Sequence, residues 1–281
     1  TGANLFLSYR FAPVLYRYPL STVYGEYSNS PRIVLFQYER TRAGYHPVEF
    51  LGEQFCGYFT CDGYQAYHSL PGRITVTGCM AHARRRFDEA LTVLKKDFTK
   101  EQLKETTAYQ AMARIGMLYK IEEMIRDKSP EERYEERQKQ AKPLLEAFFE
   151  WLHTLEEAVD RSSKIGEAVL YTLNQEPYLK KYLEDGHLSI DNLAAERALK
   201  NFAAGRRSWL FAKSIRGAQA SATVYSITET AMLNGLKPYH YLTYVMEKMK
   251  DLIPFPKKEA MLELLPWSAS LPDNCRNKLK K

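Results

Sequence analysis

Gly57-Tyr58-Phe59-Thr60-Cys61-Asp62-Gly63 is the stretch on which the fold turns. Its β-prone residues read as a short strand, and the Asp62-Gly63 pair closes it as a turn. Side chains alternate along a strand, so Tyr58, Thr60 and Asp62 share one face. Asp62 then stands at the carboxyl end, which faces the ligand crevice in open α/β sheets. Ile74–Thr77 reads as a second strand, and after Gly78 the pattern turns helical from Ala81 to Leu94. Upstream, Asn4–Tyr9 and Arg32–Tyr38 are further strand candidates bounded by turn residues. The expected class is α/β.

Downstream the chain reads as helices. Residues 101–128 place Ala111, Ile115, Leu118, Ile121 and Ile125 at helical spacing. Residues 143–160 carry a stripe of Leu144, Leu145, Phe148, Phe149, Leu152, Leu155 and Val159, with Pro143 suited to a first turn. The stripe reads as core packing. A short extended piece, His187–Ile190, leads to Asp191 as an N-cap and to a helix over Asn192–Asn201. Gly205–Ala212 reads as an aromatic, basic strand or hairpin. Ala218–Asn234 reads as a helix ended by Gly235, and Tyr239–Lys250 as another. The proline-rich tail 251–281 lacks periodicity and reads as an extended appendage anchored by Trp267.

The composition of the 281 residues, 45% hydrophobic and 26% charged, excludes general disorder and fibrous repeats. The longest uncharged apolar run, Ile33-Val34-Leu35-Phe36, is far short of the roughly 20 residues a membrane helix needs. No membrane partner is expected, and the predicted location is cytoplasmic. Cys56, Cys61, Cys79 and Cys275 include no C-x-x-C pair and are expected to be reduced thiols. Cys79 and His82 have C-x-x-H spacing, but no second finger-like pair follows to complete a zinc site.

The net charge of +6 is unevenly placed. Residues 1–97 are net +3, 98–190 net −4 and 191–281 net +7. The basic excess is densest at Arg197, Lys200, Arg206, Arg207, Lys213 and Arg216, with no acid between positions 197 and 228. Such a stretch suits a polyanion, or simply forms a solvated face.

Asp62 and Glu196 are the acids that suit chemistry. One ends a strand and the other starts a helix. Carboxylates so placed are what a magnesium site for phosphoryl transfer requires, since magnesium takes one or two carboxylates plus substrate phosphates. The bland readings stay open. Asp62-Gly63 is a common turn pair, and Glu196 stands four residues before Lys200 as a helix ion pair.

Five blocks in order carry a resemblance. Cys61-Asp62-Gly63-Tyr64-Gln65-Ala66-Tyr67 resembles the D-G-Y-x-x-Y block of insertion sequence 66 family transposases. Gly78-Cys79-Met80-Ala81-His82-Ala83-Arg84-Arg85-Arg86-Phe87 is similar to that family's G-C-x-A-H-A-R-R-x-F segment. Asp191-Asn192-Leu193-Ala194-Ala195-Glu196-Arg197-Ala198 is similar to its D-N-x-x-A-E-R-A block, and Gly205-Arg206-Arg207-Ser208-Trp209-Leu210-Phe211 to its G-R-x-x-W-L-F block. Leu265-Pro266-Trp267-Ser268 has a counterpart too.

The resemblance implies a ribonuclease H-like core with an Asp-Asp-Glu triad, two divalent metal ions (magnesium or manganese), and cleavage and strand transfer at transposon ends. Asp62 matches the second carboxylate and Glu196 the third. Residues 1–97 are then the first part of the catalytic core and 98–186 an all-helical insertion. Residues 187–250 are the rest of the core, and 251–281 the tail. The implied partners are double-stranded DNA (terminal inverted repeats and target), a homo-oligomer on DNA and accessory proteins of the same element. Arg84 and Arg85 serve phosphate contact or helix packing. Arg206, Arg207, Trp209 and Lys213 suit backbone neutralisation with stacking, or a buried Trp among basic neighbours.

The chain departs from the family at its start. The chain opens at Thr1 rather than Met and is expected to be a fragment or a processed piece. The family's first Asp and its strand lie upstream of the segment matched by Thr1-Gly2, so the first core strand is expected to be missing. Phe11–Ser30 looks like extra sequence in place of a short hairpin turn, and Leu193 replaces a frequent Asn. The expectation is a transposase that is inactive alone. The alternatives are a non-enzymatic DNA-binding remnant of a mobile element, and an interaction protein using the helices of 98–186.

Overall fold

The computed structural model describes residues 3–8, 20–26, 32–39, 41, 43–209, 214–252, 254 and 256–277, and the backbone alone at 3–8, 20–26, 201, 203 and 205–209. The strands are β1 Ala3–Ser8, β2 Leu20–Glu26, β3 Ile33–Tyr38, β4 Gly57–Thr60 and β5 Ile74–Thr77. The helices of the first half are α1 Tyr45–Leu51, α2 Met80–Leu94, α3 Lys100–Glu105, α4 Thr107–Met124, α5 Pro130–Glu136 and α6 Lys142–Leu155. Those of the second are α7 Lys164–Asn174, α8 Glu176–Leu179, α9 Leu193–Trp209, α10 Ile215–Leu233, α11 Pro238–Leu252 and α12 Lys258–Glu263. The class is mixed α/β and mostly helical. No described helix is long and apolar enough to cross a membrane. The chain forms two compact units, one of residues 1–4 and 47–193, the other of 5–46 and 194–281.

In the first unit β4 and β5 pair in parallel, with Gly57 opposite Ile74 and Thr60 opposite Thr77. Phe59 and Thr60 are both buried, so both faces of β4 are covered, as parallel strands require. The Thr60 and Thr77 hydroxyls satisfy each other at 2.5 Å. The expected strand at Ile74–Thr77 is found, and that at Gly57–Cys61 ends one residue earlier.

The expected helix over 101–128 is two helices. Thr106 adopts an extended conformation and its side chain accepts from the Tyr109 N–H, so it caps α4 and ends α3. Ser129 and Glu132 form a capping box, with Pro130 in the first turn of α5. Between α5 and α6 the helix widens into a π turn, Arg137–Ala141, in which the Lys142 N–H reaches the Arg137 carbonyl. Pro143 follows in the first turn of α6, where its missing N–H is tolerated. Leu145, Phe148, Phe149 and Leu152 are buried, but Leu144 is exposed and leaves the expected stripe. These side chains join Met80, Phe87, Ile115, Leu118, Val169 and Tyr182 in one core. At about 1.5–3 kcal/mol per large apolar side chain, this burial is the main stabilisation of the unit.

His187–Ile190, read as a short extended piece, forms no regular element. Its backbone is satisfied by other groups: the Leu188 carbonyl accepts from Arg137 at 2.8 Å, and the Ile190 carbonyl from the Met80 N–H at 3.0 Å.

In the second unit β2 pairs antiparallel with β3, Leu20 opposite Tyr38 through Gly25 opposite Ile33. Phe11–Ser30, read as extra sequence, thus contains a strand, because Leu20–Glu26 can pair along β3. Helix α10 satisfies the backbone of β3 with its own side chains. Ser226 Oγ accepts from Phe36 N–H at 2.7 Å, and Thr230 Oγ1 accepts from Val34 N–H at 3.0 Å and donates to Val34 O at 2.9 Å. Asn234 donates to Arg32 O at 2.8 Å. Positions four apart on a helix advance about 6 Å, and positions two apart on a strand about 6.6 Å, so the two rows stay in step. The core here is Val34 and Phe36 against Ala195, Ala198, Leu199, Phe202 and Ala222, with Phe36 and Phe202 stacked 5.6 Å apart.

Two expectations fail at this end of the chain. Of Gly205–Ala212, read as a strand or hairpin, Gly205–Trp209 is the last part of α9, because the helix that starts at Leu193 continues through it, and 210–212 lie outside the described residues. The tail is not extended: it holds α12 and a 3-10 turn at Asp273–Cys275. Trp267 is 39% exposed, whereas Leu271 and Cys275 of the tail are buried in a core with Ala231, Leu236 and Tyr241. The Tyr241 hydroxyl donates to the Leu264 carbonyl, and burial pushes its pKa up to about 12.

Candidate functional site

Asp62 follows the last residue pair of the parallel strands and is half-buried. Its Oδ1 accepts from the Tyr64 N–H at 3.2 Å, the local bond that bends the chain at this turn. Gly63 has φ +80°, and a Cβ there would lie 2.7–2.8 Å from Gln175 Oε1 and the Tyr171 hydroxyl oxygen. Only glycine fits, both sterically and conformationally. The Tyr171 hydroxyl donates to the Asp62 carbonyl at 2.9 Å. The Arg86 guanidinium lies over the Tyr171 ring, 4.1 Å from its centroid. Burial, more than the neighbouring Cys79, raises the Tyr171 pKa, so the phenol stays a donor. Thus α7 supports the Asp62 turn through its backbone carbonyl.

Beside it, Gly78 and Cys79 lead from β5 into α2. A Cβ at Gly78 would meet Leu179 Cδ2 at 3.0 Å. Cys79 Sγ accepts from the Asn192 N–H at 3.2 Å. All four cysteines are free thiols. Asp191 Oδ1 accepts from the Leu193 N–H at 3.0 Å and so satisfies the first N–H of α9, which begins one residue later than expected. Its Oδ2 accepts from the Tyr119 hydroxyl at 2.9 Å. Burial first, and then the Asp191 charge, raise the Tyr119 pKa far above the usual range.

An open cleft of about 450 Å³ lies between α2 and α4. Arg84, Arg85 and Asp88 line it from α2, Gly116 and Tyr119 from α4, and Leu193 at the start of α9. Arg84 is exposed and Arg85 half-buried. Neither the cleft nor the part α4 plays in it follows from sequence spacing.

In the second unit Glu196 lies in the first turn of α9 and is 7% exposed. A carboxylate near a helix N-terminus is favoured by the helix dipole. Arg197 and Lys200 lie on the same helix and are exposed, as is Arg216 in the first turn of α10. Arg206, Arg207 and Trp209 lie where only the backbone is described, and Lys213 lies outside the described residues. The structure therefore gathers Arg84 and Arg85 at one cleft and leaves Asp62 and Glu196 each in its own unit. Among the described residues no three His, Cys, Asp or Glu side chains form a group that could hold a metal ion.

Comparison with known proteins adds two family matches: "Transposase IS66 family" over residues 18–220 and "IS66 C-terminal element" over residues 226–267. Among curated proteins, uncharacterized protein y4hP of Sinorhizobium fredii is 32% identical over 247 residues, 85% of this chain and 44% of that protein. Uncharacterized protein y4jD of the same organism is 30% identical over 223 residues, 76% of this chain and 41% of that protein. Uncharacterized protein y4qI, also from it, is 28% identical over 249 residues, 85% of this chain and 44% of that protein. The chain thus spans less than half the length of these relatives. No solved structure matches.

Proposed function

Since the chain belongs to the IS66 family of transposases, we propose that it is the part of a DNA transposase that supplies the second and third acids, Asp62 and Glu196, of an Asp-Asp-Glu set. The observation that carries this reading is the family match over residues 18–220, which takes in both acids. Asp62 at the carboxyl end of a parallel pair supports a ribonuclease H-like core interrupted by the helices of 98–186. The reaction is phosphoryl transfer: an oxygen nucleophile attacks a phosphodiester and a 3′ oxygen leaves. Divalent-metal dependence, on magnesium or manganese, enters this reading through the family alone. Double-stranded DNA is the partner. Arg84, Arg85, Arg197, Lys200, Arg206, Arg207, Lys213 and Arg216 are its proposed contacts, neutralising backbone phosphates. A homo-oligomer on paired ends, accessory proteins of the element and a cytoplasmic location complete the reading.

The test uses the complete gene product and a duplex carrying the element's ends. Asp62→Asn and Glu196→Gln are each expected to abolish cleavage and strand joining while duplex binding persists. Strand joining at the parental rate by either variant refutes the assignment. The 281-residue chain alone is expected to bind duplex without joining strands; joining by the pure chain overturns its incompleteness.

A further inference from the structure

The cleft between α2 and α4 brings together residues from two parts of the chain that sequence reading kept apart. Arg84 and Arg85 come from the basic segment after β5, and Gly116 and Tyr119 from the acidic helical block. Arg84 is exposed and has no hydrogen-bond or ion-pair partner among the described residues. The opposite wall is fixed, because the Tyr119 hydroxyl is committed to Asp191 at 2.9 Å. Gly116 leaves that wall low: a Cβ built there meets nothing within 4 Å. Among the described residues that line it, Asp88 is the single acid, against two arginines. A volume of about 450 Å³ falls within the range of ligand clefts, and its open mouth suits a chain-like ligand that passes through rather than a small molecule that is enclosed.

We propose that this cleft holds a phosphodiester segment of duplex DNA, with Arg84 as the phosphate contact and the helical block forming the far wall through Gly116 and Tyr119. The proposal rests on the DNA reading above and deepens it: the helical block, net −4 overall, takes part in DNA binding. The planar, permanently charged guanidinium matches a phosphate with paired donors. Glycine at position 116 costs helix stability relative to other residues, and the cleft gives that cost a purpose, since any side chain there enters the ligand's path.

The experiment measures duplex binding by fluorescence anisotropy across a salt series, using the 281-residue chain and labelled duplex DNA. Gly116→Glu places a carboxylate in the cleft while improving helix propensity, so its thermal midpoint is expected to hold or rise. Its affinity is expected to fall about tenfold, equivalent to about 1.4 kcal/mol. Met117→Glu adds the same charge one residue along, at an exposed position outside the cleft, and is expected to bind like the parent. Arg84→Ala is expected to lower the slope of log K against log salt by about one. Equal weakening by Gly116→Glu and Met117→Glu, or no weakening by Gly116→Glu, overturns the cleft while leaving the DNA reading intact. Failure of the parent chain to bind any duplex overturns both.

Discussion

Arg137 offers the sharpest test of how the first unit is held. Its side chain is fully buried, and all five guanidinium protons are used. Nε donates to Glu122 Oε1 at 2.8 Å and Nη2 to Glu122 Oε2 at 2.6 Å. Nη1 donates to the carbonyls of Tyr182 at 3.0 Å and Asp185 at 2.9 Å, and Nη2 to Leu188 at 2.8 Å. Arg137→Met keeps the unbranched stem and removes every donor. It leaves the Glu122 carboxylate, 12% exposed, with Arg133 3.8 Å away as its remaining cation. Breaking one side of a buried pair costs about 3–5 kcal/mol, and three carbonyls lose a donor besides. Against a total of about 5–15 kcal/mol for a domain, that is a large share. Urea unfolding followed by tryptophan fluorescence and circular dichroism should show a lower midpoint at an unchanged m-value. The paired change Arg137→Met with Glu122→Met should recover part of the loss, since neither charge is then orphaned. A loss below about 1 kcal/mol for the single variant, within the range of an exposed pair, refutes the account.

Two further outcomes follow from the second unit and from a surface cluster. Replacing Ser226 with Ala and Thr230 with Val removes the hydroxyls that serve β3, and should cost about 1 kcal/mol per bond lost; amide exchange should quicken at Val34 and Phe36 above all, and uniform protection of β3 in the double variant would defeat the idea. His153 bonds Glu176 at 2.8 Å, which raises its pKa above 6.5, with a smaller contribution from Glu156. The stability this gives is fully present below the unfolded histidine pKa and is lost as pH rises through the raised folded value. Both partners are partly exposed, so the effect is small, but NMR titration of the His153 ring should show a midpoint above 6.5 that Glu176→Gln returns towards it.

What the sequence disclosed is local. β5 and β4 were legible because apolar runs ended at Gly78 and at Asp62-Gly63, and α10 because Gly235, at φ +73°, ends it where glycine is needed. The error at Gly205–Trp209 has a physical source: aromatic and basic residues there favour a strand locally, but a helix already nucleated at Leu193 needs only to propagate. Arg137 was illegible because a charge within a polar helical run reads as solvent-facing, and only the fold supplies Glu122 and the three carbonyls. The site fared likewise. Asp62 and Arg84 could be picked out, but Tyr171 and Tyr119 act on residues 109 and 72 positions away, and no spacing rule reaches across that distance.

Those two tyrosines change what the helical block is for. A long helical segment that returns the chain near the place it left closes a loop, at an entropy cost that grows slowly with length. Here the return is fixed by bonds to the turn after β5 and to the first residue of α2: Gly78 N–H to the Tyr178 carbonyl at 2.9 Å and Met80 N–H to the Ile190 carbonyl at 3.0 Å. Tyr171 of α7 then holds the Asp62 carbonyl, and Tyr119 of α4 holds Asp191 at the start of α9. The block that separates the two acids in sequence is therefore bonded to the turn that carries one and to Asp191, which accepts from the first N–H of the helix that carries the other. Removing these helices would take away both supports together, so a chain without them is expected to lose order at the Asp62 turn and at Asp191.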